Sequence, residues 1–286
     1  MSIIQFRNVS FSYRTGECDF PALKNVNLEI EPGSFVLICG ATGCGKSSLF
    51  RALNGLVPQF YEGQLTGQVK VNGKDTRLFT TRDLSLEVGL VFQNPDNQLI
   101  AMNVERELAF GPENLGLSRE RIIEQVEYAL NLVNIQHLRK KSPLELSGGE
   151  QQRVAIAAVL ALNPPILALD EPTANLDPQR ALDILTLLSR LKQEGKTILI
   201  VEHRLELVLP FVDKMVVMHE GRIAIEGSVG FVLKSQDPAI DALELPPIVE
   251  LFKNMEKIRS GLLDVPFSIE KASEILLAKK HEALKV

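Results

Sequence analysis

Residues 38–48 read "ICGATGCGKSS" and place Gly40, Gly45, Lys46 and Ser47 in the spacing G-x-x-x-x-G-K-S. Glycines let a backbone curl until successive N–H groups converge on one phosphate chain. The loop so formed contains Gly40, Ala41, Thr42, Gly43, Cys44, Gly45, Lys46, Ser47 and Ser48. Lys46 is suited to reach β- and γ-phosphates, and Ser47 to ligate Mg²⁺. "GATGCG" lacks G-x-G-x-x-G, which sets aside a dinucleotide fold. The chemistry these residues allow is binding of a nucleoside triphosphate.

"PPILALDEPTANLD" is an apolar run that ends in Asp170 and Glu171. A strand-end aspartate suits Mg²⁺, directly or through water. The next carboxylate can face a water near the γ-phosphate. "DEP" also resembles a helix start, and the upstream phosphate loop favours the chemical reading. Gln93 in "VFQNPDNQ" and His203 in "ILIVEHRLE" also follow apolar runs, and each alone is equally an ordinary loop or strand-end residue. Ser147, Gly148, Gly149 and Glu150 open the helical run "QQRVAIAAVLAL". Adjacent N–H groups at a helix N-terminus make an anion site, yet this stretch has no lysine.

The elements that must hold these residues alternate. "SFVLICG", "EVGLVFQ", "PPILALD", "TILIVEH" and "KMVVMHEGRIAIEG" read as strands, and "KSSLFRALNGL" and "PQRALDILTLLSRLKQEG" as helices. The expectation is a layered α/β core. The early runs "IIQFRNVSFSY" and "KNVNLEIEPG" alternate like antiparallel strands, and residues 97–162 read as a helical insertion. Beyond about residue 235, "IVELFKNMEKI" puts Ile248, Leu251, Phe252, Met255 and Ile258 on one helical face, and "SIEKASEILLAKK" repeats the pattern.

The 286 residues suffice for one large or two modest domains. A net charge of −5 offers no global argument for nucleic acid binding. The longest apolar run, Val154–Leu162, falls short of the roughly 20 residues of a spanning helix. The stretch "MSIIQFRNVSFSY" does not read as a signal peptide, and three cysteines suggest a reducing compartment, so a cytosolic setting is the expectation. Cys44, beside Lys46 at a helix start, is expected to carry a lowered pKa and a reactive thiol, and Cys39 to be buried.

Phosphate loop, "VFQ", "LSGGEQQR", "ILALDEP", "ANLD" and "VEH" stand in the order of ATP-binding-cassette (ABC) ATPases, which residues 1–235 resemble. "LSGGEQQR" is the most specific of these, because other phosphate-loop ATPases lack it. The resemblance implies an ATP- and Mg²⁺-dependent hydrolase in which two cassettes pack head to tail. Ser147, Gly148, Gly149 and Glu150 would then grip ATP on the partner, which explains an anion site without a lysine. It also implies that Tyr13 stacks on adenine, against a plain strand aromatic as the alternative. Gln93 would link Mg²⁺ and water to the membrane contact. Ser47, Gln93 and Asp170 would hold the metal, Glu171 would activate water, His203 would sense the γ-phosphate, and Asp177 would couple the two sites. Departures from the family pattern are Cys44, Asn175, Glu202 and Arg204.

"VFQNPDNQLIAMNVERELAFGPENLGL" and "DVPFSIEKASEILL" look like the ATPases of energy-coupling-factor importers of vitamins or nickel and cobalt. That likeness implies a second ATPase chain, identical or related, a transmembrane coupling protein, a substrate-capturing membrane protein and no nucleic acid. The place of work would be the cytoplasmic face of the membrane. Residues 236–286 would be a helical extension, either supporting the dimer or capping the core. The loop after Gln93 would dock on the membrane partner, with Asp96 as an acidic contact or a helix N-cap. Competing readings are the ATPase of another ABC importer or exporter, or a soluble ABC protein acting on DNA or ribosomes. The third lacks the long coiled coil of the DNA-repair relatives and the paired cassettes of the ribosomal ones.

Overall fold

The structure is a computed structural model that describes residues 2–15, 18–258, 266, 271–275 and 277. Among the described residues ten strands run in chain order: β1 (Ile4–Thr15), β2 (Cys18–Ile30), β3 (Phe35–Cys39), β4 (Gly63–Val71), β5 (Lys74–Asp75), β6 (Val88–Val91), β7 (Ile166–Asp170), β8 (Thr197–Val201), β9 (Lys214–His219) and β10 (Arg222–Gly227). They form two sheets, one ordered β2-β1-β4-β5 and one ordered β10-β9-β3-β8-β7-β6. The first is antiparallel throughout. In the second, β9, β3, β8, β7 and β6 are parallel, and β10 adds an antiparallel edge.

The parallel strands are buried on both faces, so they read as continuous apolar runs. Successive side chains of a strand point to opposite faces. Phe35, Leu37 and Cys39 therefore enter the core beneath the helical insertion, while Val36 and Ile38 enter the one shared with the antiparallel sheet. Parallel neighbours end at the same edge of the sheet. The carboxyl ends of β3, β6, β7 and β8 thus deliver the phosphate loop, Gln93, Asp170–Glu171 and Glu202–His203 to one edge, where ligands of such sheets bind.

Between β6 and β7 lie the expected helices, Val104–Asn114, Arg119–Leu132 and Gly148–Leu160. Asn103 and Ser118 start the first two by accepting from the amides of Arg106 and Arg121, caps worth about 1 kcal/mol each. Arg139 ties these two helices together through Glu105, at 2.6 Å, and Glu127.

The C-terminal segment packs on its own chain. Ile240, Val249, Phe252 and Ala272 belong to the same core as Leu205 and Met215. In the helix Pro247–Ile258, Val249 and Phe252 face inward, whereas Leu251 is 52% exposed. Phe252 and Ile248 of the expected face do pack against the core, but Val249 replaces Leu251, so the buried stripe is turned by about a quarter of a helical turn. The Met255 and Ile258 side chains and most of the second amphipathic run lie outside the described residues. Among the described residues, no helix is long and apolar enough to cross a membrane.

Candidate active site

The phosphate loop runs from the end of β3 into the helix Lys46–Leu53. Two of its glycines are required by close approach. A Cβ on Gly40 would stand 2.2 Å from the Met218 carbonyl oxygen, and one on Gly45, at φ +108°, would stand 2.5 Å from that of Ala22. Lys46 is 7% exposed, and its Nζ donates to the carbonyls of Gly40, at 2.8 Å, and Ala41, at 3.1 Å. The ammonium is therefore drawn back across the loop it is expected to serve.

Ser47 Oγ donates to Asp170 Oδ2 at 2.7 Å, which joins β7 to the start of the helix. Burial raises the Asp170 pKa and the neighbouring Glu171 adds to this, while the Ser47 hydrogen bond and Lys46 oppose it. A hydroxyl and a carboxylate in contact are hard oxygen donors, the chemistry Mg²⁺ prefers.

Glu171 sits at φ +50°, a left-handed conformation uncommon for a residue with a Cβ and worth roughly 1–3 kcal/mol of strain. Its amide donates to the Val201 carbonyl at 2.9 Å, so pairing with β8 holds the turn. Its carboxylate is gripped from both sides. Gln93 Nε2 donates to Oε2 at 2.7 Å, and His203 Nε2 lies 3.1 Å from Oε1. The structure thus brings Gln93 to Glu171, and the Ser47–Asp170 contact forms without it.

Tyr13, Thr42, Gly43, Gly45, Lys46, Ser47, Ser48, Gln93, Glu171 and His203 line one cleft of about 630 Å³. Tyr13 is fixed in place. Its hydroxyl is 3.0 Å from Ser48 Oγ and accepts from Arg51 at 2.9 Å, and its ring stands edge-on to Phe11 and Tyr61. Gly40, Ala41 and Thr42 line an adjoining pocket of about 240 Å³ with Glu202, His203 and Ala242–Glu244 of the C-terminal segment.

Cys44 departs from expectation. It is 5% exposed and packs in the apolar core below the loop. Burial raises its pKa, only partly countered by Lys46 and backbone hydrogen bonds. Cys39, buried as expected, is pushed up to about 12 by the same cause.

Among the described residues lining the main cleft, none comes from 147–150. Gly148 lines an adjoining cleft, which shares Gln93 and Glu171 with the main one, together with Asn175. There Ser147 begins the helix Gly148–Leu160, and Glu150 accepts from both the Ser147 amide, at 2.8 Å, and its hydroxyl, at 2.7 Å. Those bonds lower the Glu150 pKa. A Cβ on Gly148 would meet nothing within 4 Å, so this surface is open to an incoming group. Asp177 caps the helix Pro178–Gln193, accepting from the Arg180 amide at 3.0 Å.

Several residues at the site were not singled out from sequence as parts of it. Phe20, 59% exposed, and its neighbours Pro21 and Ala22 line the cleft. Phe20 is the cross-strand partner of Tyr13, in a register set by irregularities between Phe6 and Ser12 that alternation alone does not reveal. Glu107, 5% exposed, accepts from the amides of Ile100 and Ala101 and so shapes the loop beyond Gln93. The side chain of Asp96 in that loop lies outside the described residues. Glu202 and Arg204, noted only as departures, both bind the loop after β7.

A family profile described as ABC transporter matches residues 23–174. The energy-coupling factor transporter ATP-binding protein EcfA of Methanoculleus marisnigri is 37% identical over 97% of this chain and 98% of its own length. The solved structure of CbiO1 from Clostridium perfringens, part of the ABC transporter complex CbiONQ, matches with a TM-score of 0.72 at 34% identity, over 88% of this chain and 99% of that one. A dimeric post-hydrolysis ATP-binding cassette with ADP and Pi matches with a TM-score of 0.70 at 30% identity, over 79% of this chain and 98% of that one. The chain spans 40–42% of the length of three ABC transporter ATP-binding proteins from Methanosarcina species.

Proposed function

This chain belongs to the ABC transporter family, and we propose that it is the ATP-hydrolysing subunit of an energy-coupling-factor importer for a vitamin or trace metal ion. The observation that carries the proposal is one cleft in which Lys46 and Ser47 lie across from a carboxylate, Glu171, held by Gln93 and His203. The likeness to EcfA and to CbiO1 supports the importer class. Residues 1–235 act as the cassette and residues 236–286 as an extension of it.

Two such chains, copies or paralogues, work head to tail, an arrangement supported by the dimeric likeness and by the placement of 147–150 outside the chain's own cleft. Ser147, Gly148, Gly149 and Glu150 then face the partner's ATP. The pair sits on the cytoplasmic face of a membrane beneath a coupling protein and a substrate-capturing protein. The loop after Gln93 supports this contact, because it leaves Ile100 68% and Met102 78% exposed.

In the cleft the phosphate loop binds the triphosphate, and Ser47 and Asp170 would hold Mg²⁺. When bound there, such an ion would supply charge screening of the phosphate chain. Glu171 takes the proton of the attacking water at its carboxylate. Gln93 and His203 orient that carboxylate through its two oxygens, and Tyr13 offers its ring to the base.

Capture of the tagged chain from native membranes, followed by identification of bound proteins and an MgATP hydrolysis assay, tests this reading. A second ABC ATPase with two further membrane proteins is the expected result. Recovery with a lipid-anchored or periplasmic solute-binding protein would reassign it to another importer class.

A further inference from the structure

Three consecutive residues at the end of β8 each bind the loop that follows β7. His203 contacts the Glu171 carboxylate at 3.1 Å. Glu202, 3% exposed, accepts from the Thr173 amide at 2.9 Å and the Thr173 hydroxyl at 2.7 Å. Arg204 Nη1 donates to the carbonyls of Thr173, at 3.2 Å, and Leu176, at 2.7 Å. The peptide groups on both sides of Thr173 are thereby fixed to β8, and the last anchor adjoins Asp177.

A carboxylate buried this deeply persists only where donors satisfy it. Here the recorded donors both come from Thr173, so Glu202 is specialised for that loop. Arg204 bridges two carbonyls of the loop from a single guanidinium nitrogen, Nη1, and so ties Thr173 to Leu176. The loop therefore has few independent ways to move. If its Leu176–Asp177 end shifts, Thr173 must shift with it, and the end of β8 that carries His203 is pulled along.

We infer that Glu202 and Arg204 are positioning residues that lock Glu171 and His203 to the Thr173–Asp177 segment, so that pressure from a second cassette on Asp177 sets the orientation of the catalytic carboxylate. This inference rests on the two-chain reading above. It gives the two departures flanking His203 a role in communication between sites.

The test uses the full chain in its native complex. Glu202→Ala and Arg204→Ala are expected to lower kcat about 10–100-fold, the scale of a catalytic group displaced by an ångström. KM for MgATP should stay within about twofold, because neither residue is among those lining the main cleft with Lys46 and Ser47. Glu202→Gln keeps an acceptor oxygen for Thr173 and should recover most of the loss. Arg204→Ala combined with Asp177→Ala should be no worse than the poorer single variant, since both act along one path. Should Glu202→Ala not fold, Arg204→Ala and the cycle with Asp177 still decide.

Unchanged kcat in these variants, losses that multiply in the double variant, or a KM that rises in step with a falling Tm would each overturn the inference. A parent complex that hydrolyses no MgATP would sink the functional reading itself. A parent with full activity beside unaffected variants sinks this inference alone.

Discussion

The side-chain amide of Gln93 donates to the Glu171 carboxylate at 2.7 Å, across 78 residues of sequence. Gln93 follows β6 and Glu171 follows β7, and the two strands are adjacent and parallel. The hydrogen bond fixes the carboxylate in the cleft that also holds Lys46 and Ser47, where we propose that the triphosphate binds. Glu171→Gln is therefore expected to retain MgATP binding and to lower turnover about 10²–10⁴-fold, the usual effect of losing a general base. Single-turnover hydrolysis and equilibrium nucleotide titration measure the two quantities separately. Unchanged turnover would remove Glu171 from the role of base.

Ser147 stands outside the main cleft, at a helix start with an open side at Gly148. Ser147→Arg places a cation on that surface. Hydrolysis by the assembled complex should fall to background, while ATP affinity of the isolated chain stays as it was. A loss of affinity in the isolated chain would mean that residues 147–150 serve their own nucleotide.

Cys44 lies in the core beneath the loop with a raised pKa. Its labelling by a maleimide at neutral pH should be slow with or without MgATP, because thiolate and access are both lacking. Mass spectrometry of the labelled chain reads this directly. Rapid modification that MgATP blocks would restore the exposed, reactive thiol that the sequence suggests.

Asp75 supplies a pH dependence. Burial pushes its pKa up, but hydrogen bonds from Arg77 and Gln68 outweigh this and hold it at about 2. A folded-state pKa below the unfolded value adds stability above the unfolded pKa, near 4, and that stability is lost as pH falls toward 2. After allowance for solvent screening the contribution is about 1 kcal/mol. Asp75→Asn should lower Tm at pH 7 and narrow its difference from the parent as the solution is acidified below pH 4. A Tm gap that stays constant with pH would assign the effect to packing.

Phe252 is 2% exposed in the common core. Phe252→Ala should destabilise the chain by about 3 kcal/mol through lost burial and the cavity left behind. Nucleotide affinity of the folded fraction should not change. Denaturant unfolding with and without ATP tests both points, and an unaltered midpoint would make the extension independent of the cassette.

Much of the site was legible in the sequence because its determinants are local. A glycine-rich turn needs its glycines and lysine within a few residues, and the strand before it is a continuous apolar run. The same holds for Asp170 and Glu171 at the end of β7 and for the serine and glycines that open the helix at Gly148. Each motif carries its own strand or helix, so element type and chemistry could be read together.

What only the tertiary structure decided depends on partners far apart in sequence or on the direction of one side chain. Alternation along β3 sends Cys39 to one core, and the turn of the phosphate loop sends Cys44 to the other, so burial overrides the lysine two residues away. Glu202 and Arg204 stand in the sequence only as departures from the family pattern until β7 and β8 pair and bring Thr173 and Leu176 within reach. The C-terminal helix showed its apolar residues, but which of them face inward was set by the cassette surface beneath Val249 and Phe252. Local sequence specifies which groups are present and which way the chain turns. Their burial, and the partners that burial obliges them to find, are properties of the packed whole.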